Sequence, residues 1–354
     1  DEQSRIIYDN RLSFSMTGDK KHIIHMLEQI DGIGNISRLK ERLTRDSYKK
    51  LVIFGAGING LFISECLDEY NWTAFLDNKV KTVSNENIVV PQTSTLESFI
   101  NKAVNLPIYN PHYYIDNYGT ENTLFVIAVP GFSSQRSITS QLMSLGVREA
   151  DIFAFTPTNV LIPQYFEVFT PKKFETFVDC GVLDGCSSFD FARWCCGNYR
   201  KIFAFEPDIS NYNICRKNLS KLSDVVLYNL GVWDSEQTLC FENSSTGFSC
   251  VIQEENTSIE KGSIIEIKTC ALDDILKDEE ITFIKMDIEG AELKALQGAS
   301  SVISKQKPKL AVCIDHKPED IWDIPNLLLE LNPEYRFRLR HYGQSVCETV
   351  LYAE

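Results

Sequence analysis

Residues 281–299 read ITFIKMDIEGAELKALQGA. The run from Ile281 to Met286 is strand-like and ends abruptly in three carboxylates, Asp287, Glu289 and Glu292, with Gly290 among them. A helical pattern follows. Acids at a helix start gain from the positive end of its dipole, which is reason enough for Glu292. Asp287 and Glu289 precede the helix, so they mark a candidate site at a strand tip.

The same unit recurs around it. KFETFVDCG (173–181), KIFAFEP (201–207), VVLYNLGVW (225–233) and PKLAVCIDH (308–316) each read as a strand, with helical stretches between them. Alternation of this kind implies a mostly parallel sheet. The closing segment, YRFRLRHYGQSVCETVLYAE (335–354), begins with Arg336, Phe337, Arg338, Leu339 and Arg340 at strand period. Gly343 to Ser345 turn it back, which predicts a terminal antiparallel hairpin.

A second series lies upstream. LVIFGAGINGLFISECL (51–67) reads as strand, glycine turn and helix. WTAFLDN (72–78) and NTLFVIAVPG (122–131) follow as strands, then a helix to Leu145 and the short strand DIFAF (151–155). TPTNVLIPQYFEVFTP (156–171) breaks the pattern with Pro157, Pro163 and Pro171. The expected organisation is a helical lead segment, 1–48; a Rossmann-like α/β domain, 49–155; a linker, 156–173; and a second α/β domain, 174–354. His22 and His25 in the lead form an HxxH pair that reads as helix surface.

The chain has 354 residues, 44% hydrophobic and 24% charged, with a net charge of -14. That charge argues against a nucleic-acid partner, since phosphates attract a basic surface. Half of it lies in residues 251–300, with twelve acids against five bases. No apolar run approaches the ~20 residues of a membrane helix. The eleven cysteines are scattered, without a CxxC pair. Free thiols in a reduced, cytoplasmic protein are the expectation, and no structural zinc. A homodimer is open to such a chain.

Two glycine motifs differ in kind. Gly55-Ala-Gly57-Ile-Asn-Gly60 fits G-x-G-x-x-G after a strand and before a helix, with Asp77 twenty-two residues beyond Gly55. This is where a dinucleotide such as NAD(P) binds, its pyrophosphate on the helix N-terminus and its ribose on the acid. No catalytic Tyr–Lys or His–Asp pair accompanies the loop. The favoured reading is a Rossmann-like domain that keeps the turn without a cofactor; an NAD(P)-dependent oxidoreductase is the rival. The second motif is Asp179-Cys-Gly181-Val-Leu-Asp-Gly185, with Glu206 twenty-seven residues after Asp179. Two glycines let a ligand lie on bare backbone, and an acid at the next strand tip accepts both ribose hydroxyls. An adenosyl ligand without phosphates suits that pattern.

Here residues 174–354 resemble the FkbM-type methyltransferases, class I enzymes that use S-adenosylmethionine. FVDCGVLDG stands at the family's methionine-and-ribose loop, with Val182-Leu183 in place of the usual Ala-Asn. FAFEPD matches the ribose-binding motif. ALDDIL (271–276), IKMDIEGAELKALQGA and the final ETVLYA also resemble family segments. CIDH (313–316) stands where the family has Glu-x-His, so Asp315 is displaced by one position while His316 matches. The resemblance implies S-adenosylmethionine held by Asp179, Gly181, Gly185, Glu206, Pro207, Asp208 and Asp287. Gly231, Val232 and Trp233 would flank the adenine, and Ser249 would lie near the ligand. It also implies O-methylation of a sugar, glycan or glycosylated precursor. The leading domain resembles accessory domains of bacterial glycan-biosynthesis proteins.

Methyl transfer to a hydroxyl needs near-attack positioning, worth up to ~7–11 kcal/mol, and a base for the hydroxyl proton. His316 is the first candidate for that base, because its unperturbed pKa lies near ~6.5. Asp287 or Glu289 is the alternative, as base or as a grip on sugar hydroxyls. Asp287, Asp315 and His316 are also donors of the kind that hold Mg²⁺, a rival use of the same groups.

Overall fold

The computed structural model describes residues 1–30, 35–84, 106–129, 132–154, 164–242, 264–343 and 346–354. Three helices lead: α1 (Glu2–Thr17), α2 (Lys21–Ile30) and α3 (Asn35–Arg45). Asp1 caps α1 by accepting the Ser4 N–H, and Gly18 ends it at φ 69. These helices clasp both sheets of the molecule. On one side Ser4 Oγ accepts the Leu339 N–H at 3.0 Å and Arg340 pairs with Asp1 at 3.0 Å. On the other, Lys20 pairs with Glu65, and Arg42 donates to the Ile152 carbonyl at 3.1 Å.

The first sheet is built from β1 (Lys50–Phe54), β2 (Trp72–Leu76), β3 (Val83–Ser84), β4 (Ile108–Tyr109), β5 (Thr123–Ile127) and β6 (Ile152–Ala154). Helices α4 (Ile58–Cys66), α5 (Pro111–Tyr118) and α6 (Phe132–Ser144) connect them. Its order is β3-β4-β2-β1-β5-β6, parallel except where β3 meets β4. All five residues of β5 are buried, as for a strand covered on both faces.

The second half supplies β7 (Glu175–Cys180), α7 (Cys186–Trp194), β8 (Tyr199–Phe205), α8 (Ile209–Leu219) and β9 (Val225–Tyr228). Then come β10 (Gly231–Val232), β11 (Thr238–Glu242), β12 (Ile264–Cys270) and α9 (Leu272–Ile275). The chain continues through β13 (Phe283–Met286), α10 (Glu292–Gln297), α11 (Ser300–Gln306) and β14 (Lys309–Cys313). It closes with α12 (Asp320–Leu331), β15 (Phe337–His341) and β16 (Thr349–Ala353). The seven-stranded order is β15-β16-β14-β13-β7-β8-β9. β16 runs antiparallel to both neighbours, so the terminal hairpin is present as expected.

The expected strand 225–233 is two elements. Asn229 donates to the main-chain oxygens of Glu206 and Pro207 at 2.9 Å each, β9 stops at Tyr228, and Gly231–Val232 pair with β12 instead. β10, β12 and β11 form a small separate sheet. The described part of the proline-rich stretch, from residue 164, contributes Phe166 and Phe169 to the core under the large sheet. There they meet Phe177, Phe191, Phe283 and Tyr352, with Phe177 stacked on Phe191 at 4.4 Å. Burial of two phenylalanines fixes this end of the stretch against the sheet. Among the described residues no helix is long and apolar enough to cross a membrane, and the ten described cysteines are free thiols.

Candidate active site

The C-terminal ends of β7, β8 and β13 open onto one cleft, where open α/β sheets bind ligands. The empty space within it, open solvent at the mouth included, is about 830 Å³. Gly181, Glu206, Pro207 and Asp208 line one side; Gly231, Val232 and Trp233 line the next; Asp287 and Glu289 close it. Every charged side chain in the lining, Glu206, Asp208, Asp287 and Glu289, is an acid.

Glu206 is held by the backbone it organises. Oε2 accepts the Leu183 N–H at 2.9 Å and Oε1 the Asp208 N–H at 3.0 Å. Burial nevertheless pushes its carboxyl up to about 7, against the pull of these amides. Asp208 caps α8, accepting the Ser210 and Asn211 N–H groups at 2.8 Å each.

Gly181 sits at φ 79, and a Cβ there would lie 2.0 Å from the Asp287 carbonyl oxygen. The glycine is therefore required by the neighbouring strand as much as by any ligand. Leu183 occupies the same left-handed region, at φ 56, with its side chain half exposed. A leucine there is strained by ~1–2 kcal/mol, whereas asparagine tolerates it. Leu183→Asn is accordingly expected to raise the unfolding temperature by roughly 2–4 °C in a thermal melt, by relieving about 1 kcal/mol. An unchanged or lower melting temperature would show that the loop is not strained.

Two expected ligand contacts lie away from the cleft. Asp179 is 0% exposed; Oδ2 accepts from Ser187 and Ser188 at 2.7 Å each, and Oδ1 lies 3.5 Å from Lys285 Nζ. It braces the loop from beneath. Gly185, at φ 97, begins α7, and a Cβ there would press on Leu219 at 3.0 Å. Its role is packing. Ser249 lies outside the described residues.

Across the cleft the acids crowd around His316. Its Nε2 is 3.6 Å from both Asp287 and Glu289, and its Nδ1 is 2.9 Å from Glu292. Burial opposes a charge on the imidazole, but Glu292, Glu289 and then Asp315 outweigh it and hold its pKa well above the usual value. The first-choice base thus already carries its proton near neutral pH, which corrects the expectation for His316. Burial lifts Glu289 to about 8, with His316 opposing. Burial also opposes the charge on Asp287, yet Lys285 and His316, helped by a hydrogen bond from Tyr165, keep its carboxyl below the ordinary range. Of the three candidates, Asp287 is the one left ionised and unprotonated.

Glu292 has a definite job. Its two oxygens accept the Ile288 and Gly290 N–H groups at 2.8 and 3.0 Å, clamping the turn in which Glu289 (φ 55) and Gly290 (φ 92) are both left-handed. Asp315 turns away: its oxygens accept the Glu348 and Thr349 N–H groups at 2.8 and 3.0 Å. Asp287, Glu292 and His316 do bring donor-type atoms within 4.8 Å of one another. The set still does not fit Mg²⁺. The Glu292 oxygens are committed to amides, Asp315 faces elsewhere, and a protonated imidazole offers no lone pair.

Sequence reasoning missed two participants. Lys285 interrupts an apolar strand and faces Asp179 in the β13–β7 register. A lysine inside such a run was the available signal. Tyr165, from the proline-rich stretch, donates to Asp287 Oδ2 at 2.7 Å; nothing in its local sequence announces this.

In the first sheet the glycine turn has its expected form. Gly55 is at φ 112, Gly57 begins α4, and a Cβ on Gly60 would lie 2.0 Å from the Gly55 oxygen. Asp77 accepts the Lys79 N–H at 2.8 Å. Turn geometry and close packing account for these residues, and none of these contacts points to NAD(P).

A seven-stranded sheet in this order, with an acid-lined cleft at its strand tips, defines the class I methyltransferase fold. Residues 179–346 match the family described as Methyltransferase FkbM domain, and this part of the chain is an S-adenosylmethionine-dependent methyltransferase domain of that family. Similar solved structures include the methyltransferase FkbM from Methylobacillus flagellatus KT, 18% identical over 96% of this chain and 100% of that one, with a TM-score of 0.49. An rRNA methylase from Streptococcus thermophilus is 15% identical over 52% of this chain and 87% of its own, TM-score 0.33. Aeropyrum pernix fibrillarin, solved with natively bound S-adenosyl-L-methionine, is 7% identical over 52% and 69%, TM-score 0.34. No curated protein sequence matches the chain.

Proposed function

We propose that residues 174–354 transfer a methyl group from S-adenosylmethionine to a hydroxyl of a sugar, glycan or glycosylated precursor. The observation that carries the reading is the cleft's charge. Four acids line it and no base does; even with Glu289 protonated, Asp287 keeps a negative charge there, which suits a cationic sulfonium and a neutral polyol, and no cation is present to draw phosphates. When bound, the donor supplies a methyl group on a positively charged sulfur. Glu206 would hold its ribose hydroxyls, with Gly181 and Gly231 giving access to bare backbone. Pro207, Asp208, Val232 and Trp233 would flank the adenine.

Asp287, ionised at the cleft edge, would orient the acceptor hydroxyl and receive its proton. Orientation is the larger contribution, and proton removal adds typically ~10²–10⁴-fold. His316, protonated, lies 3.6 Å from Asp287 and helps to keep that carboxylate ionised. Residues 49–155 would serve as an accessory Rossmann-like unit, tied to the catalytic one by the helices of residues 1–48.

Calorimetry with S-adenosylhomocysteine tests the reading. Binding at sub-millimolar ligand is expected, and its absence would overturn the proposal. The ionised form of Glu206 accepts ribose hydroxyls best. Affinity should therefore be full above the group's pKa of about 7 and weaken as pH falls through it. The limiting slope is about tenfold per pH unit. A flat profile from about pH 5.5 to pH 8 would remove Glu206 from the ribose site.

A further inference from the structure

Tyr165 belongs to the segment that joins the two sheets, yet it reaches the cleft's edge. Its phenol donates to Asp287 Oδ2 at 2.7 Å, while Asp287 Oδ1 lies 3.6 Å from His316 Nε2. The residue is over-determined. Its N–H donates to Tyr352 Oη at 3.1 Å, and its ring lies 5.1 Å from Lys285 Nζ. The neighbouring Gln164 and Glu167 bond to Glu348 and Tyr342 at 2.6 and 2.8 Å. Its backbone is left-handed, φ 77, a conformation that costs energy and persists only where its surroundings enforce it.

We infer that Tyr165 is the positioning residue of Asp287: its phenol fixes one carboxylate oxygen and leaves the other turned toward His316 and the cleft. The connecting segment is thereby part of the active site. This rests on the proposed function, in which Asp287 stands beside the methyl-transfer centre.

The test uses the full chain and two probes, S-adenosylmethionine and S-adenosylhomocysteine, which differ by one methyl group and one positive charge. At a fixed pH the ratio of their affinities reports the negative charge presented to the sulfur, by Asp287 and by whatever charge Glu289 carries. Lys285, Glu289, Cys313, Asp315, His316 and Glu348 also act on Asp287 or respond to it. Tyr165→Phe leaves all of them in place and retains the ring. Loss of the donor frees the carboxylate to turn away from the cleft. Near neutral pH, where Asp287 is ionised with or without the phenol, the preference for the sulfonium should therefore fall several-fold in Tyr165→Phe, while the affinity for S-adenosylhomocysteine, which carries no charge on sulfur, changes little. In an Asp287→Asn background, adding Tyr165→Phe should change nothing further.

An unchanged preference for the sulfonium in Tyr165→Phe overturns the inference, as does an equal effect in the Asp287→Asn background. A wild type that binds both probes with no preference for the sulfonium removes Asp287, and Tyr165 with it, from the transfer centre. A wild type that binds neither overturns the proposed function itself.

Discussion

Lys285→Met is expected to cost about 3–5 kcal/mol of folding stability, the size found when one partner of a buried ion pair is removed. Lys285 is 2% exposed and Asp179 0%. Besides its ion pair, Lys285 Nζ donates to the carbonyls of Cys180 and Gly181 at 3.1 and 2.7 Å. One ammonium thus holds both the acid beneath the glycine loop and the loop's own backbone. Methionine fills the volume but strands the Asp179 carboxylate with two serine hydroxyls and takes the ammonium from the Gly181 carbonyl, while Cys180 keeps only the Asp287 N–H. Burial disfavours the Lys285 cation, but Asp179 and Asp287 outweigh it and raise its pKa, so the ammonium keeps its charge across the physiological range. Chemical denaturation of the two single variants and of Lys285→Met/Asp179→Asn would check this. The double variant should recover a large part of the loss, since neither charge then remains buried alone. A loss below about 1 kcal/mol in the single variant would show that the loop is held by other contacts.

Glu206→Ala should weaken S-adenosylhomocysteine binding roughly a hundred-fold, about 3 kcal/mol, with little loss of folding stability in the absence of ligand. The two effects separate because the buried carboxylate is itself a burden. Its folded pKa of about 7 lies above the ordinary value of 4.5. The cost of its charge is absent below the unfolded pKa and fully present above the folded one. Alanine removes that cost while freeing the Leu183 and Asp208 amides, so the apo protein gains on one account and loses on the other. Binding has no such offset, because both ribose hydroxyls lose their acceptor. Glu206→Gln, which keeps one acceptor, should fall between. Calorimetry in parallel with thermal melts distinguishes the cases: equal losses of affinity and stability would make Glu206 a structural residue only.

Much of the site was legible because strand tips carry a local signature. An apolar run that ends in an acid followed by a turn residue, Pro207 after Phe205–Glu206 and Gly290 after Met286–Asp287, places the acid on the rim of any parallel sheet. Asp179 shares that pattern and still turns inward. Its direction depends on a lysine more than a hundred residues away, and spacing along one chain says nothing about which acid meets which base. His316 shows the same limit in its charge state. Isolated, it titrates near neutrality; beside Glu292, Glu289 and Asp315, it holds its proton. The prolines of residues 156–171 suggested a break. Phe166 and Phe169 bury the end of that stretch, and so carry Tyr165 to Asp287.

What the sequence determined by itself was periodicity: two α/β series, a terminal hairpin, and an adenosyl-type glycine loop with an acid on the next strand. These follow from side-chain alternation and local backbone freedom, which are short-range. What only the tertiary structure decided was partnership: Lys285 with Asp179, Glu292 with the Ile288 and Gly290 amides, Tyr165 with Asp287, and the lead helices with both sheets. Each joins groups whose energy depends on burial and on a neighbour's charge or donor, and those exist only once the chain has closed around them.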